Sequence, residues 1–266
     1  MRASITPLPD KGPRAWLTYL WRGGRAALGL LIFLALWDWG SRFYSELILP
    51  SPWVTFTTLV GLLAEGNGWS ELAATARRAL AGFALSLVVG SALGLLAGLS
   101  VTAKLMSRPV ITLLLGTPPI AWLVLAVLWF GAGDATPVFT VFIVTFPIIF
   151  VAALQGAHTL DGQLRNLARA YRLPASMILI DIYLPHVVSY LFPAWVVALA
   201  MSWKVAVMAE LLATADGVGA ALAVSRSHLD TAATMAWIVA VVCLLLLVEY
   251  LLLDPLKRKL ESWRTA

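Results

Sequence analysis

The feature that most constrains this chain is a series of long apolar runs that recur along most of its length. Windows of about 19 residues, the usual test for a transmembrane helix, select six of them. They lie near residues 26–46, 79–100, 109–131, 137–157, 186–212 and 232–253. Each run is long enough to cross a hydrocarbon core of about 30 Å as a helix. The sequence therefore predicts an all-α integral membrane protein with about six transmembrane helices.

The composition supports the bilayer as the main solvent of these runs. Charged residues make up 12% of the 266 positions, whereas a soluble domain carries about 25%. The net charge of +5 is spread over chain ends and loops, with no single basic face. This distribution argues against a nucleic-acid partner. The lone cysteine, Cys243, can form neither an internal disulfide nor a cysteine-based metal site.

The placement of basic residues predicts the orientation of the chain. Lysines and arginines precede the first predicted span, fill the second and fourth connections, and follow the sixth span. The connections 47–72 and 132–136 contain neither residue type, so the positive-inside rule places both termini in the cytoplasm. Arg77, Arg78 and Arg226 are exceptions on the outer side. We interpret them as side chains that snorkel to the interface, and for Arg77 and Arg78 the lining of an outer vestibule is the alternative.

The predicted connections are too short to hold a soluble domain. We therefore divide the chain into a cytoplasmic segment over 1–25, one transmembrane domain over 26–256, and a cytoplasmic tail over 257–266. The first segment is polar and basic, and the apolar run after it exceeds the length of a signal peptide. We expect this segment to be retained as part of a multi-pass protein.

The predicted cytoplasmic loop over 158–185 has helical periodicity. Four apolar residues recur within about 40° of one another around a helix axis; they are Leu160, Leu164, Leu167 and Tyr171. Three arginines fall on the opposite side, namely Arg165, Arg169 and Arg172. Prolines at 174 and 185 then predict a short amphipathic helix, a turn and a second short helix. A helix that lies on the lipid surface is an alternative that periodicity does not reject.

Several segments of the chain resemble a known family. The run NLARAYR at 166–172 and the run IYLP at 182–185 resemble the cytoplasmic signature of ABC importer permeases, which reads Glu-Ala-Ala, three residues, Gly, nine residues, Ile-x-Leu-Pro. Other segments are similar to the nitrate, sulfonate and taurine branch of that family: LPSP at 49–52, PPIAW at 118–122, WFGAGD at 129–134 and AELL at 209–212. The chain departs from the signature at Asn166, Leu167 and Arg172, which replace Glu, Ala and Gly.

The resemblance implies a type I ABC importer permease fold with a cytoplasmic coupling helix, in the plasma (inner) membrane of a bacterium. It implies three kinds of protein partner: a second permease subunit, identical or related, a cytoplasmic ABC ATPase dimer that holds ATP and Mg²⁺, and an extracytoplasmic substrate-binding protein. It also implies contact with the ATPase by a set of loop residues. They are Leu164, Arg165, Leu167, Ala168, Arg169, Tyr171, Arg172, Ile182, Leu184 and Pro185.

The sequence itself contains no Gly-x-x-x-x-Gly-Lys-Ser/Thr loop for binding nucleotide phosphates. We therefore expect ATP hydrolysis on a separate chain and no cofactor in this one. The predicted spans also offer no Ser/His dyad at helical spacing and no paired ligands for a metal. We expect a transport subunit without a catalytic or a metal site.

Two features within the predicted spans indicate a translocation pathway. Gly116, Pro118 and Pro119 interrupt the third span, and such breaks are tolerated where freed carbonyls face protein or water; a packing kink is the alternative. Lys204 lies midway along the fifth span, where a charge must face protein or water. It either attracts an anionic substrate or forms a structural ion pair. Glu210, six residues further along the fifth span, is also a candidate pathway residue. Six residues span about 240° of a helix, so Lys204 and Glu210 do not share a face, and their pairing would need a distorted helix or a second chain.

These observations predict a permease subunit of an ATP-driven importer. It would form the pathway for a small anionic or zwitterionic solute that an external binding protein delivers. An ion-coupled secondary transporter is the alternative, because an intramembrane lysine and a broken helix also suit that class.

Overall fold

The computed structural model describes residues 15–64, 66–159, 174 and 177–248. Throughout these ranges the regular structure is helical, which confirms the all-α fold class. The helices are α1 (Ala15–Ser41), α2 (Pro52–Ala64), α3 (Asn67–Gly98), α4 (Val101–Gly116), α5 (Pro119–Phe130), α6 (Ala135–His158), a π-helix (Ile178–Tyr183), α7 (Leu184–Ala213), α8 (Val218–Ser227) and α9 (Thr231–Val248).

Four helices, α3, α6, α7 and α9, are long and apolar enough to cross a membrane. The pair α4 and α5 adds a fifth span if the two count as one. The apolar part of α1, Leu28–Ser41, is shorter than these. The described residues thus carry four or five candidate spans, and the count of six stays a prediction. Helix α7 includes Pro185 in its first turn, which agrees with the predicted start of the fifth span.

The region of the predicted third span, 109–131, is a bent pair of helices. Helix α4 ends at Gly116 and α5 begins at Pro119, with a bend of 93° between them. The cause is local, because two consecutive prolines remove backbone donors and hold the intervening backbone extended. Thr117 accordingly has φ −83° and ψ 125°. The predicted interruption at Gly116, Pro118 and Pro119 is confirmed.

Helices α3 and α6 form the closest packed pair because α3 carries a small residue at every fourth position. The residues are Gly82, Ser86, Gly90, Gly94 and Gly98. A Cβ atom added at Gly82 would lie 2.6 Å from Cβ of Val141, and one at Gly94 would lie 2.4 Å from the carbonyl oxygen of Phe150. Membrane helices use such small residues to bring their backbones together.

Helix α7 completes the centre of the protomer by packing on α6. One apolar cluster joins Ile149 and Ala153 of α6 to Val187, Leu191 and Ala198 of α7. A second cluster joins the peripheral helices α2, α8 and α9 to α3. Its members include Leu59, Leu72, Val218, Leu222 and Trp237. The short helix α8 therefore lies between the central helices and the pair α2 and α9.

Candidate functional site

Several helix ends meet at one end of the bundle. The start of α3, the connection between α5 and α6, the end of α7 and the start of α8 come together there through side-chain hydrogen bonds. We call this the outer end, after the prediction from the positive-inside rule that the connection 132–136 faces the outside of the cell. A cluster of charged side chains occupies it.

Arg78 is the centre of this cluster and is only 2% exposed. Its Nε and Nη2 atoms donate to Oδ1 of Asp134 at 2.7 and 2.5 Å. Its Nη1 atom donates to Oε1 of Glu210 at 2.9 Å and to the carbonyl oxygen of Asp216 at 2.8 Å. Its Nη2 atom also donates to Oδ1 of Asp216 at 2.5 Å. All five N–H groups of the guanidinium are thereby engaged.

The interpretation of Arg78 as a snorkelling side chain is therefore wrong. A buried cation requires paired charges and hydrogen bonds, and three carboxylates supply them here. Its neighbour Arg77 is exposed and pairs with the other oxygen of Asp134 at 2.6 Å. The signal in the sequence was the exception itself, because Arg77 and Arg78 are adjacent arginines on the side of the membrane where the positive-inside rule predicts few of them.

Glu210 is fully buried, and its carboxylate is satisfied within the protomer. It accepts hydrogen bonds from Arg78, from the hydroxyl of Thr75 at 2.7 Å and from the backbone N–H of Gly219 at 3.1 Å. The last donor belongs to the first turn of α8, where the helix dipole also favours a negative charge. The structure thus brings Glu210 to Arg78, on a different face of α7 from Lys204.

The start of α8 is held by side chains from α3. The N–H of Gly217 donates to the carboxylate of Glu71, and the N–H of Val218 donates to Oγ1 of Thr75 at 2.8 Å. Gly217 has φ 96° and ψ 163°, a conformation that is essentially restricted to glycine. A Cβ atom there would also lie 2.5 Å from the Glu210 carboxylate.

Asp216 lies in the connection between α7 and α8, outside the membrane-length helices. The hydrogen bond from Arg78 lowers the pKa of the Asp216 carboxyl below its usual range. The carboxylate form is therefore the one that stabilises the cluster.

Lys204 lies in different surroundings. Its side chain is exposed on the surface of the protomer, and among the described residues it forms no ion pair. It shares one face of α7 with Val197 and Leu212, which are 56% and 58% exposed. Lys204 precedes the end of α7 by nine residues, and at 1.5 Å per residue this places it about 14 Å below the outer end.

The family of the chain follows from its sequence and agrees with this architecture. Residues 90–263 match the family of binding-protein-dependent transport system inner membrane components. The chain belongs to this family of ABC transporter permeases. It is accordingly the membrane-spanning subunit of an ABC importer. It is a transport subunit and a multi-pass protein of the inner membrane.

Curated relatives of the permease agree with the branch that the sequence motifs predict. The taurine transport system permease protein TauC of Escherichia coli is 26% identical over 88% of this chain and 87% of its own length. The putative aliphatic sulfonates transport permease protein SsuC of Escherichia coli is 30% identical over 74% of this chain and 76% of its own length. The nitrate import permease protein NrtB of Synechocystis is 27% identical, with 82% of each chain covered.

A solved structure shows the same fold. It is an inward-facing form of the MetNI methionine ABC transporter, which aligns with a TM-score of 0.58 and covers 75% of this permease and 96% of its own chain. The sequence identity is 18%, so this likeness concerns the fold alone. The prediction of an ABC importer permease fold is confirmed.

The predicted ATPase-coupling residues of the permease are only partly described. Leu164, Arg165, Leu167, Ala168, Arg169, Tyr171 and Arg172 lie outside the described residues. Ile182 lies in the π-helix that runs directly into α7. Leu184 is exposed and Pro185 is half-buried at the start of α7.

The residues of the helix break are accessible on the protomer. Gly116 and Pro118 are exposed, and Pro119 is half-buried. Across the described ranges of the permease, the structure contains no group of three or more His, Cys, Asp or Glu residues that could hold a metal ion.

Proposed function

We propose that this permease imports a small anionic or zwitterionic solute that carries an oxyanion group, such as a sulfonate or nitrate. The solutes in the names of three relatives, taurine, aliphatic sulfonates and nitrate, share this chemistry, because each carries a compact group with a delocalised negative charge. The observation that carries the proposal is Lys204, a cation that forms no ion pair among the described residues and lies on the exposed face of a membrane-length helix.

An ammonium group at this depth is costly if it faces lipid, about 2.5–3.5 kcal/mol in insertion measurements. The face of α7 that carries Lys204 is therefore better suited to a water-filled pathway or a second subunit than to hydrocarbon. A pathway between two permease subunits satisfies both conditions. We propose that Lys204 lines this pathway, where its charge attracts the oxyanion.

The break between α4 and α5 supports the proposal that this region also lines the pathway. The bend at Gly116, Pro118 and Pro119 leaves backbone groups without helical partners, and these groups suit a wet cavity. Glu210 contributes indirectly, because its bonds to Arg78 and α8 hold the outer end of the helix that carries Lys204.

The remaining partners follow from the family. We propose that a cytoplasmic ATPase dimer, which binds ATP and Mg²⁺, contacts the loop 158–185 through the coupling residues named above. An extracytoplasmic binding protein would deliver the solute at the outer end. A second copy of this chain or a related permease would complete the pathway, with both termini in the cytoplasm.

The test is uptake by proteoliposomes that contain the permease, its ATPase and its binding protein, with radiolabelled taurine, an alkanesulfonate and nitrate as probes. Lys204→Met should lower uptake at least about tenfold, which corresponds to an interaction of about 1.4 kcal/mol. The complex should still assemble and hydrolyse ATP without solute, and Lys204→Arg should retain most uptake. Lys104→Met, the same substitution in α4, is the matched control.

Two results would contradict this function. Uptake that is unchanged in Lys204→Met would remove Lys204 from the pathway. Uptake that proceeds without ATP and collapses with the ion gradient would instead indicate a secondary transporter.

A further inference from the structure

Arg78 joins four segments of the outer end through one side chain. It belongs to α3 and donates to Asp134 before α6, to Glu210 of α7 and to Asp216 before α8. The guanidinium is a rigid, planar fork, so its acceptors must keep fixed relative positions to be satisfied together. We call Arg78, Asp134, Glu210 and Asp216 the outer clasp.

A second layer of hydrogen bonds extends the outer clasp to α8. The first three backbone N–H groups of the segment 217–219 donate to Glu71, Thr75 and Glu210. The same helix inserts Val218 and Leu222 into the apolar cluster that α2 and α9 share with α3. Helix α8 therefore connects the peripheral pair α2 and α9 to the central helices.

The free energy needed to open the outer clasp differs from the free energy needed to move the Lys204 face of α7 away from its surroundings. Opening the clasp would leave Arg78 and Glu210, which are 2% and 0% exposed, without partners in a poorly solvated region. The Lys204 face has no partner within the described protomer to lose. A motion that changes access to the pathway therefore costs less at that face than at the clasp.

We infer that Arg78 is a positioning residue for transport, which keeps the outer ends of α3, α6, α7 and α8 together as one block throughout the cycle. A motion that changes access to the pathway must then take place outside this block, and the α7 face that carries Lys204 is a side on which the described protomer has no ion pair to break. This inference rests on the proposed importer function. ATP-dependent uptake by the wild-type complex tests that function separately and is measured first.

Hydrogen exchange on the intact complex tests the inference without any variant. The complex is compared in its nucleotide-free state and in its vanadate-trapped state, and peptides that contain the amides of residues 217–219 are followed. Their exchange rates should agree within about twofold, since a closed clasp protects them in both states. A difference of more than about twofold between the two states would show that the clasp opens in one of them and would overturn the inference.

A covalent lock tests the same point through activity. Oγ1 of Thr75 lies 2.8 Å from the backbone nitrogen of Val218, so these neighbouring residues are the pair chosen for the double variant Thr75→Cys with Val218→Cys, and disulfide formation is verified by thiol titration before uptake is measured. It is made with Cys243→Ser, and each single cysteine variant serves as a control. Uptake should be the same within about twofold before and after oxidation. Loss of uptake on oxidation, with recovery on reduction, would overturn the inference.

The variant Arg78→Lys distinguishes a positioning role of Arg78 in transport from a role in the stability of the fold alone. An ammonium keeps the charge but has three N–H donors, so it cannot bond all the acceptors of Arg78. We expect more ATP hydrolysed per solute transported, with the KM for solute unchanged. A role in folding alone would lower the yield of complex and leave this ratio as in the wild type, and that result would contradict positioning.

Discussion

Arg78 and Lys204 are both cations within membrane-length helices, and their surroundings are opposite. The guanidinium of Arg78 is buried and donates every N–H to a group of the same protomer. The ammonium of Lys204 is exposed and has no ion pair within the described protomer. A cation in the bilayer must be compensated somewhere. The first charge is compensated by the fold, whereas the second is left to the solute, water or partner subunit that the protomer alone does not contain.

The largest expected effect removes the cation of the outer clasp. Arg78→Met leaves the buried Glu210 carboxylate without its ion pair, which should destabilise the protein by about 3–5 kcal/mol. Thermal unfolding of the detergent-solubilised permease measures this loss. The double variant Arg78→Met with Glu210→Met should recover much of it, because no buried charge remains. An Arg78→Met variant as stable as the wild type would show that the cluster is not a paired unit.

A smaller effect should follow from crowding the clasp through the backbone. Gly217→Ala places a methyl group 2.5 Å from the Glu210 carboxylate at a residue with φ 96°. We expect a loss of about 2–4 kcal/mol from backbone strain and overpacking together. Gly66→Ala is the matched control, since Gly66 has φ 85° and open space around its Cβ position. Equal losses in the two variants would mean that contact with Glu210 contributes nothing.

A still smaller effect should appear with pH, through Asp216. Because its pKa is lowered in the folded protein, the carboxylate adds stability above about pH 3.9, the ordinary value for aspartate, and this stability is lost as pH falls through the lowered pKa. The difference in unfolding temperature between wild type and Asp216→Asn should therefore shrink on acidification. A difference that stays constant from pH 7 to the acid limit would contradict the hydrogen bond from Arg78 as its source.

The smallest effect is expected at Lys204 itself. Lys204→Met should change the stability of the single protomer by less than about 0.5 kcal/mol, since the side chain is exposed and has no ion pair to lose among the described residues. Thermal unfolding of the dissociated protomer and of the complex gives the two values to compare. A loss confined to the complex would indicate a structural ion pair with the partner subunit and would replace the role in solute attraction.

The segments that resemble the family show which parts of the site could be predicted from the sequence. Asp134 ends the WFGAGD segment and Glu210 lies in the AELL segment, and both contact Arg78. The resemblance marked these segments without indicating that they meet. The small residues at every fourth position of α3 were also readable from the sequence, although their partner helix was not. The coupling residues over 164–172 remain a prediction, since they lie outside the described residues.

The sequence alone determined that the chain lies in a bilayer, that its fold is all-α, that a helix breaks at Gly116 to Pro119, and to which family the chain belongs. These properties depend on local apolar length, on backbone donors that proline lacks, and on motif spacing. Only the tertiary structure decided the partners of Arg78, which are 56, 132 and 138 residues away along the chain. No periodicity links residues at such separations, because the pairing is set by which helix ends meet when α3, α6 and α7 pack. The physical reason is that burying a charge is favourable only after the fold has brought its counter-charges together.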